Sequence, residues 1–243
     1  MKRSVASGGR SVSGEALDRL RGKYIVFDGI DGAGKGAQLN LLEAALNERG
    51  IEVVRARDPG GTTIGDRIRH VLLDYDLSEM DVRCETMLFM ASRAQLAREV
   101  IEPALKAKKV CLGDRYVSAT CAYQGAAGFD PDRVIELARF AIDGTWPDLT
   151  LILDVPPHKG HERTGKKPGA KKQEATGSRH PTLFHDVHTD AMEARPMSFH
   201  EKVHQMFLDL PKYYPRPVVI VDGMGTVDEV QTRVMKAIAD AAL

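Results

Sequence analysis

Charge of a prevailing sign is what this sequence most plainly lacks. Lys plus Arg and Asp plus Glu are 34 each, for a formal net charge of +0. A surface that tracks nucleic-acid phosphates carries a basic excess, so nucleic acid is not an expected partner. The balance still permits a local cluster of positive charge, which is all a small phosphorylated ligand needs. Cysteine is scarce too. The three present, Cys84, Cys111 and Cys121, lie in apolar stretches without metal-ligand spacing. They exclude a disulfide frame and read as buried thiols in a reducing compartment. No apolar run approaches the roughly 18 residues of a membrane span, so no membrane is expected as a partner. The N-terminal MKRSVASGGRSVSGEALDRLRG has no hydrophobic block and does not read as a secretory signal. Its Arg and Ser suit a transit peptide, but Glu15 and Asp18 weigh against one, and the expected location is the cytoplasm.

What is present is the make-up of one globular domain. The 243 residues, 43% hydrophobic and 28% charged, suffice for one full core rather than two. Residues 1–21 open with Ser, Gly and Arg and have little to bury, so they are expected to be a disordered tail, with the domain spanning 22–243. Short apolar runs then recur at Tyr24–Phe27, Ile51–Val54, Val110–Leu112, Leu149–Leu153 and Val218–Val221. Amphipathic stretches separate them, such as Leu39-Leu42-Ala45-Leu46 and Val134-Leu137-Ala138-Ala141. That alternation predicts a three-layer α/β fold, a five-stranded parallel sheet covered by helices on both faces. In such folds ligands collect beyond the carboxyl ends of the strands.

Gly29-Ile30-Asp31-Gly32-Ala33-Gly34-Lys35 follows the first run directly and opens the first amphipathic stretch. This is the GxxxxGK of a phosphate-binding loop, whose glycines let backbone N–H groups turn inward around phosphate. The helix N-terminus adds its dipole and Lys35 a full charge for the β- and γ-phosphates of ATP. One element is missing. The pattern continues with Ser or Thr, whose hydroxyl ligates magnesium, and here the loop ends in Gly36 and Ala37. Asp31 and Asp114 are the carboxylates that could hold Mg2+ instead, directly or through water.

Beyond the loop, Phe89 and Arg93 are four apart on a predicted helix and project from one face. The ring can stack on a nucleobase and the guanidinium can reach the base edge; an ordinary core Phe with a surface Arg is the other reading. Arg115, after the third strand, has the planar fork that suits an acceptor phosphate, with a structural salt bridge as its alternative.

Several blocks in order carry a family resemblance. FDGIDGAGKGAQ, then Arg57-Asp58-Pro59-Gly60-Gly61-Thr62, CETMLFMASRAQ, Gly113-Asp114-Arg115-Tyr116-Val117 running to Ala122-Tyr123-Gln124-Gly125, Pro147–Val155, and Phe199-His200-Glu201-Lys202-Val203 resemble the motifs of the thymidylate kinases. These are P-loop nucleoside-monophosphate kinases. The resemblance spans Lys23 to about Val234. It implies transfer of the γ-phosphate of ATP to dTMP, giving dTDP and ADP, with Mg2+ and a homodimer packed through helices. It assigns Phe89 and Arg93 to thymine, Thr120 and Gln124 to the neighbourhood of the base, and Tyr123 to the sugar, where a ring crowds a 2′-hydroxyl. Arg115 and Arg69 fall to the acceptor phosphate, Asp31 to the 3′-hydroxyl and metal, and Asp58 to the same acceptor site. Lys35, Asp114, Arg115 and Arg163 form the expected catalytic set.

Residues from about 158 to 190 depart from the family pattern, being rich in Lys, Gly and His and poor in apolar residues. The resemblance makes this the lid that closes over ATP. Because Gly32 is not an arginine, the chain looks like the branch that delivers its catalytic arginine from the lid, with Arg163 at the matching place and Lys166, Lys167, Lys171, Lys172 and Arg179 behind it. Ala191 stands where a lid arginine is usual. His161, His180, His185 and His188 match no compact metal pattern, and a solvated polar loop is the expected reading. Two rivals stay open: a kinase of another monophosphate or a deoxynucleoside, and a nucleotide-binding relative that has lost catalysis.

Overall fold

A computed structural model describes residues 9–74, 80–165, 192 and 195–243. The chain begins with α1 (Gly9–Asp18), β1 (Tyr24–Asp28), α2 (Lys35–Asn47), β2 (Val53–Arg57) and α3 (Thr63–Asp74). The helix α4 (Val82–Leu96) runs through one π-helical turn, Ala97–Ile101, into α5 (Glu102–Lys106), and β3 (Val110–Asp114) follows. Then come α6 (Val117–Ala126), α7 (Pro131–Ile142), β4 (Leu149–Asp154), α8 (Pro157–Thr164), α9 (Met197–Asp209), β5 (Val218–Asp222) and α10 (Val227–Asp240). The expected α/β architecture is present: five strands form one parallel sheet in the order β2-β3-β1-β4-β5.

The strands differ as their places in the sheet demand. β1 is buried at every residue and β4 at all but its last, whereas the edge strands β2 and β5 are mostly half-exposed. A central parallel strand is covered on both faces and so reads as a continuous apolar run; an edge strand can carry Arg55 and Arg57 toward solvent. That explains why β2 starts two residues later than its apolar run and ends on those arginines. Helices bury one stripe each, for example Leu39, Leu42 and Leu46 of α2 or Val230, Val234 and Ile238 of α10. A capping box starts α10: the Thr226 hydroxyl accepts from Glu229 N, while the Glu229 carboxylate accepts from Thr226 N.

The register fixes where chemistry can occur. Phe27 pairs with Asp114 across β1 and β3, Arg115 N donates to Phe27 O at 3.0 Å, and Asp58 N donates to Asp114 O at 3.1 Å. Three strand ends, those of β1, β2 and β3, therefore converge on one edge. There the helix connections diverge to opposite sides of β1, which is the crevice where such sheets bind ligands.

Three expectations are corrected. The tail is not disordered from residue 9 onward. Ala16, Leu17 and Leu20 are buried, α1 packs on α10, and Arg19 donates to Ala239 O at 3.0 Å. Its few apolar residues were too sparse to read as an amphipathic stripe, but they fall on one turn. Residues 1–8 lie outside the described residues. Cys84 is exposed on α4, unlike the buried Cys111 and Cys121, because a helix turns a residue to solvent even within an apolar stretch. The segment expected as an irregular lid opens with the helix α8; its residues 166–190 lie outside the described residues.

If α1 belongs to the domain, Leu17→Ala lowers the unfolding free energy by about 2–5 kcal/mol, the usual cost of emptying a buried leucine site. Urea titration with unchanged stability would return these residues to a tail.

Candidate functional site

The P-loop is built by its glycines and by what lies above it. Gly32 has φ 76°, a left-handed conformation that side chains rarely adopt. A Cβ there would come within 2.1 Å of Gly160 O, and a Cβ on Gly160 within 2.3 Å of Asp31 O. Loop and α8 thus touch backbone to backbone. Gly34, with φ 95°, turns the chain into α2, whose start carries no side-chain cap, so its first N–H groups face the loop. Lys35 donates to Gly29 O at 3.2 Å and Ile30 O at 2.8 Å and lies 4.0 Å from the Asp31 carboxylate. Burial and then Arg115 lower its pKa, against the pull of Asp31, Asp114 and Asp28.

Arg115 joins this loop to β3. One Nη donates to Asp28 Oδ1 (3.0 Å) and Gly29 O (2.8 Å); the other donates to Asp31 Oδ1 and, at 3.3 Å, to the Tyr123 hydroxyl. Its φ is 66°, which costs a non-glycine residue of order 1 kcal/mol and persists only where surroundings over-determine it. The salt bridge, the alternative reading of this arginine, is therefore present, and Arg115 also lines the open cavity. Asp28 was absent from the expected site set, although the carboxylate ending the first apolar run was its signal. It is fully buried and also accepts from Gly29 N and the Ser118 hydroxyl.

The two carboxylates beside Arg115 shift in opposite directions. For Asp28, burial dominates and raises the pKa in spite of Arg115 and Ser118. Burial also opposes the charge on Asp31, yet Arg115, Lys35 and the Tyr123 hydroxyl outweigh it and hold that carboxyl well below the usual range. The difference follows from position, Asp28 being sealed beneath the loop and Asp31 lying at its rim.

From Asp31 and Lys35 a cavity of about 230 Å³ extends between the ends of β1, β2 and β3 and the helices α3, α4 and α6. Of the expected residues, Asp31, Lys35, Asp58, Arg69, Phe89, Asp114, Arg115, Thr120, Tyr123 and Gln124 all line it. Arg57, Pro59, Leu73, Ala119 and Met192 line it as well and were not singled out from the sequence. Tyr123 donates to Asp31 Oδ2 at 3.1 Å under the Arg115 guanidinium. Arg69 donates to Pro59 O at 2.9 Å, just past the cis Asp58–Pro59 peptide.

Two expected residues lie off the cavity wall. Arg93 is 1% exposed, which overturns its reading as a surface arginine. It also stands one layer behind the cavity rather than on it. Nε donates to Asp58 Oδ2 at 2.6 Å, Nη1 to Met90 Sδ, and Nη2 to Tyr116 O and Thr120 Oγ1. Burial raises the Asp58 pKa even against Arg93, and Asp58 Oδ1 is buried without a partner among the described residues. Arg163, on α8, bridges Gly32 O (3.4 Å) and Gly223 O (3.2 Å). It caps the loop from outside. The remaining P-loop positions, Gly29, Ile30, Ala33, Gly36 and Ala37, supply backbone; an added Cβ at Gly36 meets nothing within 4 Å.

For a metal, Asp31 and Asp114 are the acidic residues of the cavity beside the loop. Both Asp31 oxygens already accept hydrogen bonds; the Asp114 carboxylate accepts none among the described residues. Among those residues no three metal-ligating side chains cluster. One or two carboxylates completed by phosphate oxygens and water is the donor set of Mg2+. His161 lies edge-on to His200, and His204 bonds Asp154 at 2.6 Å. His180, His185, His188, Ala191 and the lysines behind Arg163 lie outside the described residues.

Comparison with known proteins gives a consistent picture. A family profile described as Thymidylate kinase matches residues 27–234. The thymidylate kinase of Geobacillus sp. (strain WCH70) is 35% identical over 222 residues, covering 91% of this chain and 98% of that protein. The thymidylate kinase of Desulfosudis oleivorans is 39% identical over 216 residues, with 88% and 95% covered. The thymidylate kinase of Exiguobacterium sp. is 37% identical over 217 residues, with 89% and 93% covered.

Because Asp31 has a depressed pKa in the folded state, its ionised form stabilises the fold above the ordinary carboxylate value of about 3.9. That contribution is lost as pH falls below this value toward the depressed one. Asp31→Asn is expected to show its full stability deficit at pH 7, a deficit that begins to shrink only as pH falls below about 3.9 in denaturant titrations. A deficit independent of pH would show that the Arg115 and Lys35 contacts do not act through charge.

Proposed function

The chain belongs to the thymidylate kinase family, and from that premise we propose how its residues divide the work of phosphorylating dTMP. The protein is an ATP-dependent phosphotransferase that converts dTMP to dTDP. The observation that carries the division of labour is the continuity of one cavity, from Lys35 at the P-loop to Phe89 and Gln124 at its far wall.

Phosphoryl transfer asks mainly for positioning and charge neutralisation. The P-loop amides and the α2 N-terminus receive the ATP phosphates. Lys35 exchanges the neutral carbonyls of Gly29 and Ile30 for phosphate oxygens, a gain because the ammonium then meets full negative charge rather than a carbonyl dipole. Arg69 and Arg115 flank the dTMP phosphate, with Arg115 lending its charge from its anchored place. Arg163 turns from the loop carbonyls toward the γ-phosphate. Magnesium, which neutralises β- and γ-phosphate charge when bound, would be held by Asp114 and through water by Asp31, in place of the hydroxyl that Gly36 and Ala37 lack.

At the other end Phe89 stacks on the base, with Thr120 and Gln124 at its edge. Tyr123 lies under the sugar, where its ring crowds a 2′-hydroxyl, and Asp31 is near the 3′-hydroxyl. Arg93 acts from behind, holding Asp58 and Thr120 in place. Ile64 and Val71 of α3, Met87 of α4 and Phe140 of α7 are exposed, which supports a homodimer packed through helices. No helix among the described residues is long and apolar enough to cross a membrane, and with three free thiols the cytoplasm is the proposed place of action.

The test is ADP release from ATP with dTMP set against dUMP, dCMP, dGMP and UMP, with and without EDTA. Selective, EDTA-sensitive turnover of dTMP is expected. Arg163→Met should lower kcat by about 10³-fold or more, as for other arginines that reach the transferred phosphoryl group, with the dTMP KM little changed. Nucleotide binding without turnover would remove the catalytic reading, and full activity in Arg163→Met would remove that residue from it.

A further inference from the structure

Gln124 lines the cavity, and its hydrogen-bonding sense is dictated by a neighbour, Glu85, that does not line it. Its Nε2 donates to Glu85 Oε2 at 3.2 Å, and the other Glu85 oxygen accepts from Arg195 Nη2 at 3.0 Å. Glu85 is 2% exposed and Gln124 1%. A carboxylate paired with a guanidinium only accepts, so the amide must turn its NH2 toward Glu85. Its Oε1 is then the end left over, and that atom is buried with no partner among the described residues. The reverse orientation would set two acceptors against each other in a buried place, at a cost comparable to a lost hydrogen bond. Arg195 is itself fixed, its guanidinium lying 4.5 Å from the centre of the Phe199 ring, and Phe199 packs on Tyr123.

We propose that Glu85 and Arg195 are positioning residues for pyrimidine selectivity: they lock the Gln124 amide so that the cavity offers an acceptor, not a donor, to N3 of the base. Thymine carries a hydrogen at N3 and satisfies Oε1; cytosine carries a lone pair there and leaves Oε1 unpaired. The proposal rests on the assignment of the base to the Phe89–Gln124 end of the cavity. Arg195 stands three residues after Met192, which also lines the cavity.

The experiment compares kcat/KM for dTMP and dCMP in the full-length protein and in Glu85→Gln, Arg195→Lys and Gln124→Met. Glutamine at 85 is isosteric but can donate or accept, which frees the Gln124 amide to invert. Glu85→Gln is expected to reduce the dTMP-to-dCMP preference about tenfold or more, through KM with kcat for dTMP retained and melting temperature unchanged. Arg195→Lys, which keeps the charge against Glu85, should stay within a few-fold of the parent. A Glu85→Gln protein that loses activity equally on both nucleotides, or loses none, overturns the proposal. Gln124→Met separates the two levels of the argument. If it weakens dTMP while Glu85→Gln leaves the preference intact, the base site stands and the lock is wrong. If it leaves both nucleotides unaffected, the base is not at Gln124 and both fall.

Discussion

The guanidinium of Arg115 is the constraint on which the site depends. It reaches from the end of β3 to the carboxylate that ends β1, to Asp31 of the β1–α2 connection and to a carbonyl between them, so neither strand end can move without the other. The Asp28 carboxylate beneath the loop would be costly to bury alone, and Arg115, Ser118 and Gly29 N offset that cost together. The strained backbone of Arg115 is retained on the same account. A sheet supplies only hydrogen bonds along its strands; it is this ion pair that ties the phosphate loop to the acceptor side of the crevice.

A second buried pair, Arg93 with Asp58, does the same for the far wall. Replacing such a pair by apolar groups is often neutral, but removing one partner costs about 3–5 kcal/mol because the other charge is left stranded. What the pair gives here is placement. Arg93 fixes Thr120 and the carbonyl of Tyr116 with one nitrogen and Asp58 with another, and Asp58 N is fixed in turn by Asp114 O. Placement at the wall is thus delegated in part to Arg93, which does not line the cavity.

This layering explains what could be read in the sequence. Strand runs, the P-loop and the α/β class were legible because each is a local pattern: a period, a glycine spacing, a position after a strand. Phe89, Thr120, Tyr123 and Gln124 were legible through the family's motifs, and the cavity does collect them. Arg93 was found but misplaced by a layer, since helical spacing shows that it shares a face with Phe89 and not how deep that face lies. Asp28 had a signal, as the carboxylate ending an apolar run, but its pairing with Arg115, 87 residues on, did not; Glu85 and Arg195 were missed because their partners are 39 and 110 residues away along the chain, and no spacing encodes that. The helix α1 was missed for the opposite reason: its apolar residues are few, and only contact with α10 makes them a stripe.

The resting partners of the three cations around the loop also say which of them can act. Lys35 and Arg163 donate their hydrogen bonds to neutral carbonyls, those of Gly29, Ile30, Gly32 and Gly223, with the Asp31 carboxylate 4.0 Å from Lys35. A phosphate brought into the loop competes with these easily, because a hydrogen bond between ions is worth more than one to a neutral acceptor. Arg115 rests on two carboxylates, and a phosphate that took it would leave Asp28 with only the neutral Ser118 hydroxyl and Gly29 N, and Asp31 with the Tyr123 hydroxyl and Lys35 at 4.0 Å. Charge can therefore be moved from two of the three while the third stays fixed. Under the proposed function, a loop with no hydroxyl at 36 or 37 would draw its charge neutralisation from such movable side chains. The backbone contact of Gly32 with Gly160 keeps α8, and Arg163 with it, against the loop: the guanidinium already spans from Gly32 O to Gly223 O.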